Sequence, residues 1–250
     1  MKHLLSRATV GALALVGLVA AACSAGGQAA APSTAGHASP TPPKVVYAAL
    51  GASETAGIGT TEPRRDSFPQ QLLARLGPAS VLYNLGIPGE TTAAALTDEL
   101  PAALSEHPDL ATVFFNVDDM VAGVSAADYH ARMDQIVGSL RAGGHTKVLV
   151  ANVPPLDQLP AFQACEGGFS CPIKTTPFPS VAQIDALAAA YNAAIAQVAA
   201  AHGATVVDLW SGANALAGHP EYVATDGFHP SSAGAAVLAE AFYQAWRSAR

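Results

Sequence analysis

Charge is scarce in this 250-residue chain. Asp, Glu, Lys and Arg make up 12% of it, and the 12 Lys and Arg are outnumbered by 19 Asp and Glu. So thin a supply of cations excludes the basic surface that binding nucleic acid or anionic lipid requires. Cysteine is scarce too: Cys23, Cys165 and Cys171 are the only three. No histidine flanks Cys165 or Cys171, which argues against zinc. The turn Gly57-Ile58-Gly59 lacks the Lys and Ser/Thr of a phosphate-binding P-loop. There is no internal repeat. What remains is 50% hydrophobic, long enough for one α/β domain with a sizeable core and short for two.

The N-terminal residues fall outside that domain. Lys2 and Arg7 form a basic start, and residues 8–22 are small and apolar, a short run for a membrane span. Residues 1–22 therefore read as an export signal. Removing them takes away two basic and no acidic residues, leaving 10 against 19, a net charge of −9 with His neutral. The segment ends in Val19-Ala20-Ala21-Ala22-Cys23, which resembles the bacterial lipobox, where the cysteine becomes the lipidated first residue; a leucine is usual where Ala20 stands. The other reading is plain cleavage after an Ala-x-Ala, with Cys23 incidental. Residues 23–43 are rich in Ala, Gly, Ser, Thr and Pro and hold no large apolar side chain, so a disordered tether is expected. The protein is expected to be exported, as a lipoprotein facing outward or as a secreted one. Its membrane contact would come only through that anchor or signal. In an exported protein, Cys165 and Cys171 are expected to form a disulfide within one loop; two free thiols are the alternative.

From residue 44 to residue 250 strand and helix alternate. Apolar runs predict strands at 45–50, 80–85, 111–116, 147–152 and 205–209. Helices are predicted at 67–76, capped by Asp66 or Ser67, at 90–104, which Pro101 should kink or divide, and at 126–141 after Ser125. Two more follow at 181–202, between Ser180 and Gly203, and at 231–248. Five such alternations imply an α/β domain, a five-stranded parallel sheet with helices on both faces, flavodoxin-like in size. Residues 153–179 break the rhythm. They are proline-rich, carry the cysteine pair and lack helical or strand periodicity, which predicts an ordered rim or lid.

The topology brings four loops to one edge of the sheet. The first holds Ser53, just past an apolar strand. The second reads Asn84-Leu85-Gly86, the third Asn116-Val117-Asp118-Asp119, and the fourth ends in Asp226-Gly227-Phe228-His229-Pro230. Acyl transfer by a serine needs a base, an acid that fixes the tautomer of the base, and donors where the oxyanion develops. His229 can be the base, Asp226 can reach it from the same turn, and Gly86 and Ser53 offer backbone N–H groups.

These four blocks, in this order, resemble the SGNH (GDSL-like) hydrolase family of serine esterases and lipases. Gly51-Ala52-Ser53 matches the nucleophile block, with Ala52 and Glu54 where the family often has Asp and Leu. Asp226-x-x-His229-Pro230 matches the acid–base block. The resemblance implies a three-layer α/β/α sandwich and hydrolysis of a small-molecule ester through an acyl-enzyme, without metal or cofactor; a monomer is expected. It implies that Ser53 and His229 react, that Asp226 orients His229, and that Ser53, Gly86 and an asparagine form the oxyanion hole. The family's asparagine position holds Asp118, and an ionised carboxylate only accepts hydrogen bonds. Three outcomes are open: Asp118 is protonated and donates, it turns away, or Asn116, on the same face of an extended chain, supplies the amide. Asp119 reads as structural. Phe162, Phe169 and Phe178 either line an acyl pocket or pack their own loop. A catalytically weak or inactive binding module on this fold, and an acyltransferase acting on cell-envelope sugars, are the alternatives to an esterase.

Overall fold

The computed structural model describes residues 45–166, 179–211 and 219–249. The expected signal, the tether and Cys23 lie outside these residues, as do Cys171, Phe169 and Phe178.

Five parallel strands form one sheet: β1 (Val46–Gly51), β2 (Val81–Asn84), β3 (Leu110–Phe114), β4 (Lys147–Ala151) and β5 (Thr205–Val207). Their order is β2-β1-β3-β4-β5. That is the flavodoxin-like order, whose switch point falls between β1 and β3. Side chains alternate across the sheet, as the two-residue period of a strand demands. Ala48, Leu50, Ala111, Val113, Val148 and Val150 bury on one face, and Tyr47, Ala49, Leu110, Phe114, Leu149 and Ala151 on the other.

The first face is covered by α5 (Leu100–Ser105), α7 (Ala126–Arg141) and α9 (Val181–His202), through Leu100, Tyr129, Ile136, Tyr191 and Ile195. By length and composition α9 could cross a membrane. Its Ile184, Ala188, Tyr191, Ile195 and Val198 are instead buried in this core. The second face is covered by α3 (Phe68–Leu76) and α10 (Ser232–Ser248), where Phe68 stacks on Phe242 with ring centres 4.8 Å apart. The three-layer arrangement is the one expected.

Pro101 divides the helix predicted at 90–104 into α4 (Thr92–Ala95) and α5. Ser180 closes a full capping box with Gln183 at the start of α9, and Gly203 ends it in the left-handed region. Residues 153–166 are more regular than predicted. They carry a 3-10 turn at Leu156–Gln158 and the helix α8 (Pro160–Glu166). A seven-residue helix is too short to display the 3.6-residue period by which longer helices are recognised. Cys165 is buried and disulfide-bonded. One buried carboxyl underlies the end of β1: Glu99 Oε2 accepts the Gly51 N–H at 2.8 Å, Oε1 has no partner, and burial pushes the group up to about 8.

Candidate active site

Gly51 of β1 pairs with Phe114 of β3 at the carboxyl edge of the sheet. Ser53 and Asn116 each lie two residues beyond that pair, on either side of the switch point. Ser53 opens the short helix α1 (Ser53–Ala56) and is buried. Helix geometry leaves its N–H without an intrahelical acceptor. Asn116 caps α6 (Val117–Val121) and is 4% exposed.

The amide of Asn116 is fixed by its cap. Oδ1 accepts the Val117 N–H at 2.6 Å, so Nδ2 faces the other way, where it is buried with no hydrogen-bond partner. A buried unpaired donor costs about 1–3 kcal/mol, so this amide gains by meeting an acceptor.

Asp118 does not share its face. The chain turns helical at Val117, and helical positions two apart do not face together. The expectation of one extended face for Asn116 and Asp118 is therefore corrected. Burial pushes the Asp118 carboxyl up and Asp119 adds to this, while the charge of His229 opposes it. Asp119 is fully buried and ties three helices together. It accepts from the Thr92 N–H at 2.8 Å and hydroxyl at 2.6 Å, and Arg132 lies 3.7 Å away.

Asp226 and His229 share one tight turn. Val223 and Pro230 form an antiparallel bridge, and the Ala224 N–H donates to the His229 carbonyl at 2.8 Å. Inside the turn Gly227 adopts φ +74°, a conformation that suits glycine. Its carbonyl accepts the Ala161 N–H of α8 at 2.9 Å. His229 Nδ1 donates to Asp226 Oδ2 at 2.6 Å, and Asp226 Oδ1 accepts the N–H groups of Phe228 and His229 at 2.9 and 3.0 Å. Burial pushes the Asp226 carboxyl up, but the imidazole and the two backbone donors outweigh it and hold the group below its ordinary value. An ionised Asp226 orients Nδ1–H and turns Nε2 outward as an acceptor.

Gly86 departs from its expected role. Its N–H donates to Asn84 Oδ1 at 3.1 Å, and Asn84 Nδ2 holds the Thr55 carbonyl at 2.8 Å. The Gly86 donor expected for an oxyanion is thus engaged by a side chain. What requires glycine is closeness to α1: a Cβ would fall 2.7 Å from the Ala56 nitrogen.

The residue that sequence reasoning passed over is Glu54. Ser53 Oγ donates to Glu54 Oε2 at 3.3 Å, and among the described residues Ser53 and His229 share no hydrogen bond. Burial pushes the Glu54 carboxyl up; its own N–H and His229 draw it down, and Asp118 pushes it up. The available signal was the carboxylate itself, standing where a leucine is common.

Beside these groups lies a cavity of about 250 Å³. Glu54, Asn116 and His229 line it together with apolar side chains that include Leu156, Leu159 and Phe228. Phe162 is not part of that lining and stacks on Phe228, 6.1 Å between ring centres. Among the described residues no group of three His, Cys, Asp or Glu side chains could hold a metal ion.

Comparison with known proteins bears on the family and the fold. The model of the GDSL-like Lipase/Acylhydrolase family matches residues 49–237. No curated protein matches the chain. Among solved structures, the lipase/acylhydrolase from Enterococcus faecalis superposes with a TM-score of 0.59 at 21% identity, covering 80% of this chain and 93% of that one. The acetyl xylan esterase AlAXEase gives 0.60 at 17% identity, with 80% and 98% covered. The extracellular lipase from Streptomyces rimosus gives 0.55 at 18% identity, with 82% and 99% covered. At these identities the likeness is one of fold.

Proposed function

Since the chain belongs to the GDSL-like lipase/acylhydrolase family, we propose that it is a serine esterase that hydrolyses a carboxylic ester through an acyl-enzyme on Ser53. The observation that carries this reading is the 2.6 Å bond between His229 Nδ1 and Asp226, made in a turn that also borders the cavity lined by Glu54, the residue after Ser53.

In the first step Ser53 Oγ attacks the ester carbonyl carbon and its proton passes to His229 Nε2, with Asp226 stabilising the imidazolium. The carbonyl oxygen becomes an oxyanion, which the Ser53 N–H and the Asn116 amide receive. His229 then gives its proton to the leaving alcohol. Water, activated by the same histidine, releases the acid and regenerates Ser53. The mostly apolar cavity is suited to the acyl chain. The enzyme is proposed to act after export, tethered through residues 23–43 or secreted.

A series of nitrophenyl esters of increasing acyl length tests the reading, with Ser53→Ala as the control. Turnover that disappears in Ser53→Ala supports it. Folded protein that neither turns over esters nor reacts at Ser53 with a fluorophosphonate is a binding module, the alternative that Asp118 and Glu54 favour. Adding a sugar acceptor and finding acylated sugar in place of free acid would change the reaction to acyl transfer.

A further inference from the structure

We propose that Glu54 is a positioning residue that holds the Ser53 hydroxyl apart from His229 between turnovers, so that handing this hydroxyl to the histidine is a separate step of catalysis. The inference rests on the serine-esterase reading.

Three observations carry it. The hydrogen bond of Ser53 Oγ goes to Glu54 Oε2, and no bond joins Ser53 to His229. The Glu54 side chain lines the cavity, so an acyl group entering there meets it. No lysine or arginine forms an ion pair with Glu54 among the described residues, so no fixed cation draws the carboxylate away. The charged groups that bear on it are Asp118 from α6 and His229 from the acid–base turn. An ionised Glu54 is a strong acceptor for the serine hydroxyl. A protonated one is a weaker acceptor. The geometry therefore sets two acceptors, Glu54 and His229, in competition for one proton donor, and only transfer to His229 leads to attack.

The experiment is the rate at which an alkyl fluorophosphonate labels Ser53, measured against pH in wild type, Glu54→Gln and Glu54→Leu. Labelling forms the Oγ–P bond, expels fluoride and passes the serine proton to His229, so it requires the hydroxyl to have left Glu54. Thermal melting of each variant establishes that it is folded. On the alkaline plateau of the profile both variants are expected to label about 3- to 10-fold faster than wild type. Folded variants that label at the wild-type rate or more slowly on the plateau overturn the inference while leaving the esterase reading intact. A folded wild type that shows no Ser53-dependent labelling overturns both.

Discussion

Gly51 stands opposite Phe114 in the sheet, and two residues past each of them lie Ser53 and Asn116. The register thus brings the proposed nucleophile and a buried amide nitrogen without a hydrogen-bond partner to the same edge. Under the proposed mechanism this relationship makes Asn116, rather than the residue at the family's usual position, the candidate side-chain donor for the oxyanion.

Asn116→Ser separates the two roles of this residue. Serine keeps an acceptor for the cap of α6 and loses the amide donor. Turnover number is expected to fall about 10²- to 10³-fold with KM little changed. Thermal unfolding should stay close to wild type, since serine caps about as well as asparagine. Steady-state kinetics beside a melting curve check this, and a turnover number within a few-fold of wild type would reassign the donor.

Asp118→Asn removes a half-buried carboxylate in the field of His229. Its charge disfavours a nearby oxyanion, so ester turnover on the alkaline plateau is expected to rise a few-fold. The gain should shrink toward acid pH, where burial has already helped Asp118 to take up a proton. An unchanged or lower rate would mean that Asp118 is no handicap.

Glu99 links stability to pH. Its carboxyl is pushed up to about 8 in the folded protein, from an ordinary value of 4.5. Between these values the folded state holds a proton that the unfolded chain has released, so stability contributed by the protonated group is lost as pH rises from about 4.5 through about 8. Glu99→Gln keeps an acceptor for the Gly51 N–H and cannot ionise. Denaturant unfolding at pH 5 and pH 9 should show wild type losing stability relative to the variant, and parallel behaviour would refute the assignment.

Gly86→Ala tests close packing. The added methyl meets the Ala56 nitrogen at 2.7 Å and the Thr55 side chain at 2.8 Å. Relief requires displacing the helix that Ser53 begins. A loss of about 1–3 kcal/mol in stability is expected, together with slower labelling of Ser53. Calorimetry and the fluorophosphonate rate measure the two effects separately.

The sheet was legible because its three inner strands, β1, β3 and β4, are buried on both faces and read as nearly continuous apolar runs. Long helices were legible for their caps and periods: α9 runs from Val181 to His202 as predicted. Pieces of four to seven residues were not. The helix α2 (Pro63–Asp66), α1, α6 and α8 span one or two turns, over which a 3.6-residue period cannot be distinguished. This mattered at the site. Reading Asn116 to Asp119 as extended put two side chains on one face, whereas the onset of α6 separates them. Topology made Ser53 and His229 candidates at one sheet edge, and local spacing let Asp226 reach His229, the one of these pairings that is hydrogen-bonded among the described residues. The occupation of the Gly86 N–H by Asn84 and of the Ser53 hydroxyl by Glu54 depends on rotamers, which spacing along a chain does not encode.

The bond from the Ala161 N–H to the Gly227 carbonyl has a consequence for how such an enzyme can change. The rim that walls the cavity and the turn that carries the proposed general base share a fastening. Exchanging the rim for another, to admit a different acyl group, removes a support of the histidine in the same stroke. Selectivity and reactivity in this chain are therefore not separate modules, and a transplanted rim needs a backbone donor at that one point before its new walls can be of use.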